Sequence, residues 1–243
     1  GSTQSVSGPS FVINTIVADA LCDIADELEK ARDVKATAQK ILQDIAVKHA
    51  RILFNGDNYT AEWVAEAERR GLSNIRSTVE SLKGIPSEEN LALFSKHAVL
   101  SGQELKARTE ILLEVYSRQI NIEAQTMLSI AKRQILPASC EYSARLAAAV
   151  AAVSGVGGNA ETQSKMLARV CELVTTLENG IGKLEEATAK AAATTGCEAH
   201  AESYAHDVLP AMSVVRAAAD ELETLVDAKL WPLPIYAEML FLR

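Results

Sequence analysis

Aromatic residues are scarce, at 5% of the chain, and no alternation of apolar and polar residues marks a strand. Together these argue against a sheet-built fold. Only four cysteines occur, at 22, 140, 171 and 197, and none forms a Cys-x-x-Cys pair. That spacing fits reduced cytosolic thiols packed as small hydrophobes. Uninterrupted apolar runs are short, the longest being Leu146 to Val153. No stretch is therefore expected to reach transmembrane length, no signal peptide is read, and no membrane partner is expected. Positive charge is in deficit: 24 Lys and Arg against 32 Asp and Glu leave a net charge of −8. The basic pairs Arg69-Arg70 and Lys132-Arg133 are isolated, so nucleic acid, which needs a basic patch, is not expected as a partner.

What is abundant is helix-forming. Ala, Leu, Glu and Lys dominate a chain that is 48% apolar and 23% charged, an ordinary globular balance. After a Ser/Gly-rich leader, residues 1–10, read as a loop, the apolar positions Ile13, Ile16, Val17, Ala20, Leu21, Ile24 and Leu28 recur at helical spacing. Asp33 is placed to cap a second helix carrying Val34, Ile41, Leu42, Ile45 and Ile52. Asn55-Gly56-Asp57-Asn58 has turn chemistry, and Gly71 is placed to end a short helix after Thr60. Ser77 with Glu80 and Ser101 with Glu104 have capping-box spacing, and Pro86-Ser87 opens a helix to about His97.

From Ser101 the helical pattern lengthens. Leu105, Leu112, Val115, Tyr116, Ile122, Met127, Ile130 and Leu136 keep one helix amphipathic up to Pro137, which is expected to kink or end it. Met166, Val170, Leu173, Leu177, Ile181 and Leu184 form a nearly heptad seam after the Gly155–Gly158 connection. A last long helix carries Tyr204, Val208, Met212, Val215, Leu222 and Leu225, with a kink expected at Pro210. The predicted fold is all-α: short wrapping helices over residues 1–100, then an antiparallel bundle of long helices with an apolar tail over 101–243.

No catalytic, cofactor-binding or metal-binding residue is assigned. His200 and His206 are six apart and face different ways on a helix, and Glu202 with His206 is a lone i, i+4 pair. Asp19, Asp23, Asp26 and Glu27 stack acidic groups on the first helix; a divalent-metal patch is one reading, and a solvated face partly offset by Lys30 is the plainer one. Gly155–Gly158 lacks the Gly-Lys-Ser/Thr ending of a phosphate loop, and Asn55–Asn58 lacks the spaced oxygens of a calcium loop. No Gly-x-Ser-x-Gly is present. Trp63 and Trp231 read as packing residues at element junctions.

Four segments in order carry a family resemblance. They are Gly1–Pro9 with Asn14–Ala18; Ile52–Tyr59 with Glu62-Trp63 and Glu66–Leu72; Ile120–Ala124 through Lys132–Pro137; and Asp220–Asp227 with Leu230-Trp231-Pro232-Leu233-Pro234. Together they resemble the C-terminal region of the type III glutamine synthetases. The resemblance implies that residues 1–100 hold the end of a catalytic domain with its wrapping helices. It further implies that Gly1-Ser2, which by composition fits a cleaved tag or a fragment equally, is native. The parent implied is an ATP-dependent ligase that joins ammonia to L-glutamate through γ-glutamyl phosphate, using ATP and Mg2+ or Mn2+ bound upstream. Its partners would be the missing N-terminal catalytic part and other subunits of a cytoplasmic homo-oligomeric ring. The alternative expectation is a free-standing helical scaffold or regulatory binding module without catalysis.

Overall fold

The computed structural model describes residues 5–234 and 236–240, and among these every regular element is a helix. Gly1–Gln4, part of the first family-like segment, and Phe241 of the apolar tail lie outside the described residues. The chain divides into two compact units, Gly1–Thr109 and Glu110–Arg243.

In the first unit, α1 (Ser7–Glu29) begins earlier than the leader's composition predicts. Pro9 is its third residue, where the missing N–H would have no intrahelical acceptor, so the proline starts the helix instead of blocking it. By length and composition α1 can cross a membrane: an 18-residue window has mean hydropathy 1.2 and is 6% buried. No uninterrupted apolar run marks it, because polar residues are spread through an otherwise apolar helix. Helix α2 (Val34–Lys48) starts as predicted, with Asp33 Oδ1 accepting from the Ala36 N–H at 3.1 Å. Of its predicted apolar side only Ile41 is buried; Val34, Leu42, Ile45 and Ile52 stay exposed.

Short helices follow: α3 (Ala61–Arg69), α4 (Thr78–Lys83) and α5 (Glu88–Lys96). Gly71 adopts φ +71°, the left-handed geometry that ends α3. The Ser77–Glu80 capping box does not form; Glu80 instead takes Lys83 at 3.0 Å. Ser87 caps α5 by accepting from the Asn90 N–H. The unit's small core joins Phe94, Leu100 and Leu105, with Phe11 meeting Phe94 edge-on at 5.9 Å.

The Ser101–Glu104 box does form. Glu104 Oε2 accepts from the Ser101 N–H at 2.8 Å and Ser101 Oγ from the Glu104 N–H at 3.2 Å, opening α6 (Gly102–Ile130). Neither Pro137 nor Pro210 ends its rod. Each is preceded by a five-residue π-turn, Ala131–Ile135 or Tyr204–Val208. The wider turn moves the preceding carbonyl away from the ring, so helix continues into α7 (Leu136–Gly155) and α10 (Leu209–Leu225). Both turns lead into the same tripeptide, Leu136-Pro137-Ala138 and Leu209-Pro210-Ala211.

Helix α8 (Glu161–Ala193) is the centre of the second unit and packs against both α7 and α10. The five residues between α7 and α8 force these neighbours antiparallel, as the bundle reading requires. The predicted seam is the core: Val170, Leu173, Leu177, Ile181 and Leu184 are buried, extended by Thr188 and Ala191. They meet Tyr204, Val208, Met212, Val215 and Leu222. Short α9 (Cys197–Ser203) leads into the second π-turn. Trp231 packs into the same core, and α11 (Tyr236–Leu240) follows it with Met239 and Leu240 exposed. The phase of α6 differs from expectation. Leu113, Ile120, Ala124 and Leu128 are buried, whereas Leu112, Val115 and Ile122 are exposed.

Candidate functional site

The acidic stack on α1 is where the sequence came nearest to a metal patch. Asp19 Oδ1 accepts from Lys96 Nζ at 2.7 Å, and Asp23 Oδ1 accepts from the same ammonium at 3.1 Å. His97 Nε2 lies 2.8 Å from Asp19 Oδ1, in hydrogen-bond contact. Lys96 first and His97 second hold the Asp19 carboxyl below its ordinary value, and the two carboxylates raise Lys96 above its own. The compensating charge is thus Lys96, not Lys30, and it comes from a helix 73 residues on. A cation site needs carboxylates converging on open space, and these converge on an ammonium. The donor set does not fit a divalent metal. Among the described residues no group of three or more His, Cys, Asp or Glu is placed to hold a metal ion.

A second cluster joins residues that the sequence leaves apart: the Arg69-Arg70 pair, expected to stand isolated, engages Glu66, and Arg70 also reaches Trp63. Arg70, at the end of α3, donates from Nη1 to the Leu53 carbonyl at 2.6 Å and to the Arg51 carbonyl at 3.2 Å. Its Nε donates to Glu66 Oε1 at 2.5 Å, and its guanidinium lies 5.7 Å from the Trp63 ring centre. Trp63 also stacks on Phe54, centroids 4.6 Å apart. Arg69 grips the same Glu66 through two contacts of 2.7 Å. With Arg69 and then Arg70 donating to it, Glu66 is held down to about 2. Arg70 therefore braces the segment before α3 through two main-chain carbonyls and a ring. A shallow groove beside it is lined by Phe54, Glu62, Ala65, Glu66 and Arg69.

The remaining candidates are structural. His200 meets Tyr204 edge-on at 5.1 Å, and Asp207 next to His206 accepts from Lys190 Nζ at 2.9 Å. Gly157 takes φ +76°, and a Cβ on Gly158 would stand 2.9 Å from Val153 Cγ1. The Gly155–Gly158 run thus ends α7 tightly, and Asn159 Oδ1 accepts from the Glu161 N–H to start α8. Asp57 Oδ1 accepts from the Tyr59 N–H at 2.9 Å, the turn expected of Asn55–Asn58. The cysteines are free thiols. A groove beside the first π-turn is lined by side chains of both charges, with Lys132 donating to Glu185 at 2.6 Å. Lys183, Glu178 and Glu186 line the same groove, so the carboxylates outnumber the ammonium groups there by three to two.

With no reactive constellation among these groups, comparison with known proteins carries the assignment. Residues 37–154 match the family model of the glutamine synthetase C-terminal domain. A type-3 glutamine synthetase of Dictyostelium discoideum is 35% identical across the whole of this chain and 34% of its own length. A glutamine synthetase of Butyrivibrio fibrisolvens is 32% identical over 86% of this chain and 30% of its own. One from Bacteroides fragilis (strain YCH46) is 25% identical over the whole chain and 35% of its own. The chain spans about a third of the length of the curated relatives it matches. An all-helical chain matching both that domain and a type-3 glutamine synthetase along its whole length belongs to the family of the glutamine synthetase C-terminal domain.

Proposed function

We propose that this chain is the structural and assembly region of a glutamine synthetase whose catalytic residues lie in polypeptide outside these 243 residues. The parent enzyme would join ammonia to L-glutamate at the expense of ATP, through γ-glutamyl phosphate, in the cytoplasm. ATP and Mg2+ or Mn2+ would bind in that outside part; of the acidic stack on α1, Asp19 and Asp23 are engaged by Lys96 and do not suit a metal. Its partners would be the catalytic part and further subunits of a homo-oligomeric ring, with neither nucleic acid nor membrane among them.

The observation that carries this reading is the thin core of the first unit. Among its described residues only Ile41, Val79, Leu82, Phe94, Leu100 and Leu105 are buried hydrophobics. Against them α1 alone exposes Ile13, Ile16, Val17 and Leu21, and α2 adds Val34, Leu42, Ile45 and Val47. A unit of about a hundred residues with so small a core and so much open apolar surface is built to be covered. The relatives' further two-thirds of chain is the natural cover.

The test is a ligase assay on the full-length polypeptide and on the 243-residue chain, with calorimetry of ATP–Mg2+ on the latter. Glutamine formation by the full-length polypeptide alone, with no nucleotide binding to the isolated chain, is expected. Glutamine made by the isolated chain, micromolar ATP–Mg2+ binding to it, or an inactive full-length polypeptide would overturn the proposal.

A further inference from the structure

The segment between α2 and α3 departs from what loops usually do. It has almost no regular structure beyond the single turn Ala50–Ile52, yet it is pinned at several points. Arg70 holds the Arg51 and Leu53 carbonyls, Trp63 stacks on Phe54, and Asp57 closes on Tyr59 and Thr60. The chain also folds back over its own ring. A Cβ on Gly56 would stand 2.7 Å from Phe54 Cε1, so only glycine fits there without displacing the ring. Three large apolar or aromatic side chains stand open to solvent on this braced segment: Ile52 is 57% exposed, Leu53 65% and Tyr59 99%.

A loop that served only to connect two helices would need neither the bracing nor these side chains, since polar, mobile residues suffice. Fixing a loop in one conformation lowers the ordering cost of binding. Tyr, with few rotatable bonds and a polar tip, is the residue type that anchors protein interfaces. We propose that Ile52, Leu53 and Tyr59 form a preformed docking surface for the glutamine synthetase polypeptide that lies outside these 243 residues. The inference rests on the function proposed above and names the surface through which that function is exerted. The occupant follows from length. Each relative carries about two-thirds of its chain beyond the matched region, and on the function proposed above the corresponding polypeptide would be tethered to this chain. Tethering raises its effective concentration at the loop far above that of any free partner. Asn55, Asp57 and Asn58, exposed between Leu53 and Tyr59 in the chain, call for hydrogen-bonding groups beside the apolar part of the receiving surface.

A photo-crosslinking residue placed at position 59 of the full-length polypeptide tests this, with crosslinked peptides identified by mass spectrometry and glutamine formation assayed on the same sample. Crosslinks to sequence outside the 243 residues are expected. Tyr59→Asp should lower the melting temperature of the full-length polypeptide while leaving that of the 243-residue chain unchanged, because the side chain makes no core contact. Crosslinks confined to a second copy of the 243-residue region would overturn the proposal. So would no crosslink at all, or an equal loss of melting temperature in both polypeptides. A sample that makes glutamine without the crosslink removes this docking surface alone. One that crosslinks outside the region without making glutamine keeps the surface and removes the ligase reading.

Discussion

Gly180 of α8 lies against Val215 of α10 so closely that a Cβ there would stand 3.3 Å from Val215 Cγ2 and 3.6 Å from its Cα. Gly182, two residues on, has nothing within 4 Å of the same position. One helix thus carries two glycines with opposite consequences. At 180 the missing side chain lets the two backbones approach. At 182 it only leaves the unfolded chain freer.

Opposite signs are therefore expected from similar substitutions. Gly180→Val should destabilise the bundle by about 1–3 kcal/mol, since extra methyls must displace Val215 and Val214. Gly182→Ala should stabilise it by about 0.5–1 kcal/mol, through helix propensity and a more restricted unfolded state. Urea denaturation of both variants checks the pair. Equal effects would mean that α8 and α10 are not in the close register described.

The seam of α8 predicts a second contrast. Leu177 is wholly buried in the bundle core, whereas Leu112 of α6 faces solvent. Leu177→Ala is expected to cost about 2–5 kcal/mol, transfer and cavity effects together. Leu112→Ala should stay within about 0.5 kcal/mol. Chemical denaturation separates them, and a loss below about 0.5 kcal/mol at Leu177 would remove it from the core.

These two leucines also show where the sequence was readable. In α8 and α10 the apolar residues form one stripe, so periodicity picks the buried face without ambiguity. Helix α6 is apolar on opposite sides, with Ile111, Val115 and Ile122 exposed and Leu113, Ile120 and Ala124 buried. A 3.6-residue period fits either side, and only packing chooses. The two prolines are legible as interruptions of an α-helical ladder; the π-turns that carry each helix past them come from a widened ladder that propensity does not encode. Local caps were legible where no rival stood nearby. Ser101–Glu104 closes, but Glu80 is taken by Lys83. The Asp19–Lys96 contact and the Arg70 brace join residues 77 and 17 positions apart, beyond any motif window.

The brace gives a pH signature whose sign follows from Glu66. Its carboxyl is held at about 2, below the ordinary 4.5, because Arg69 and Arg70 donate to the charged form. A depressed carboxylate contributes stability that is present above its unfolded value and lost as pH falls through its folded one. Glu66→Gln keeps the shape but removes the charge. It should melt below the wild type at neutral pH, with the gap narrowing from about pH 4.5 downwards and closing near pH 2. Thermal unfolding of both chains across that range is the measurement. A gap that stays constant down to pH 2 would mean that the two arginines do not select the ionised carboxylate, and that Arg70 holds the loop through its two carbonyls and the Trp63 ring alone.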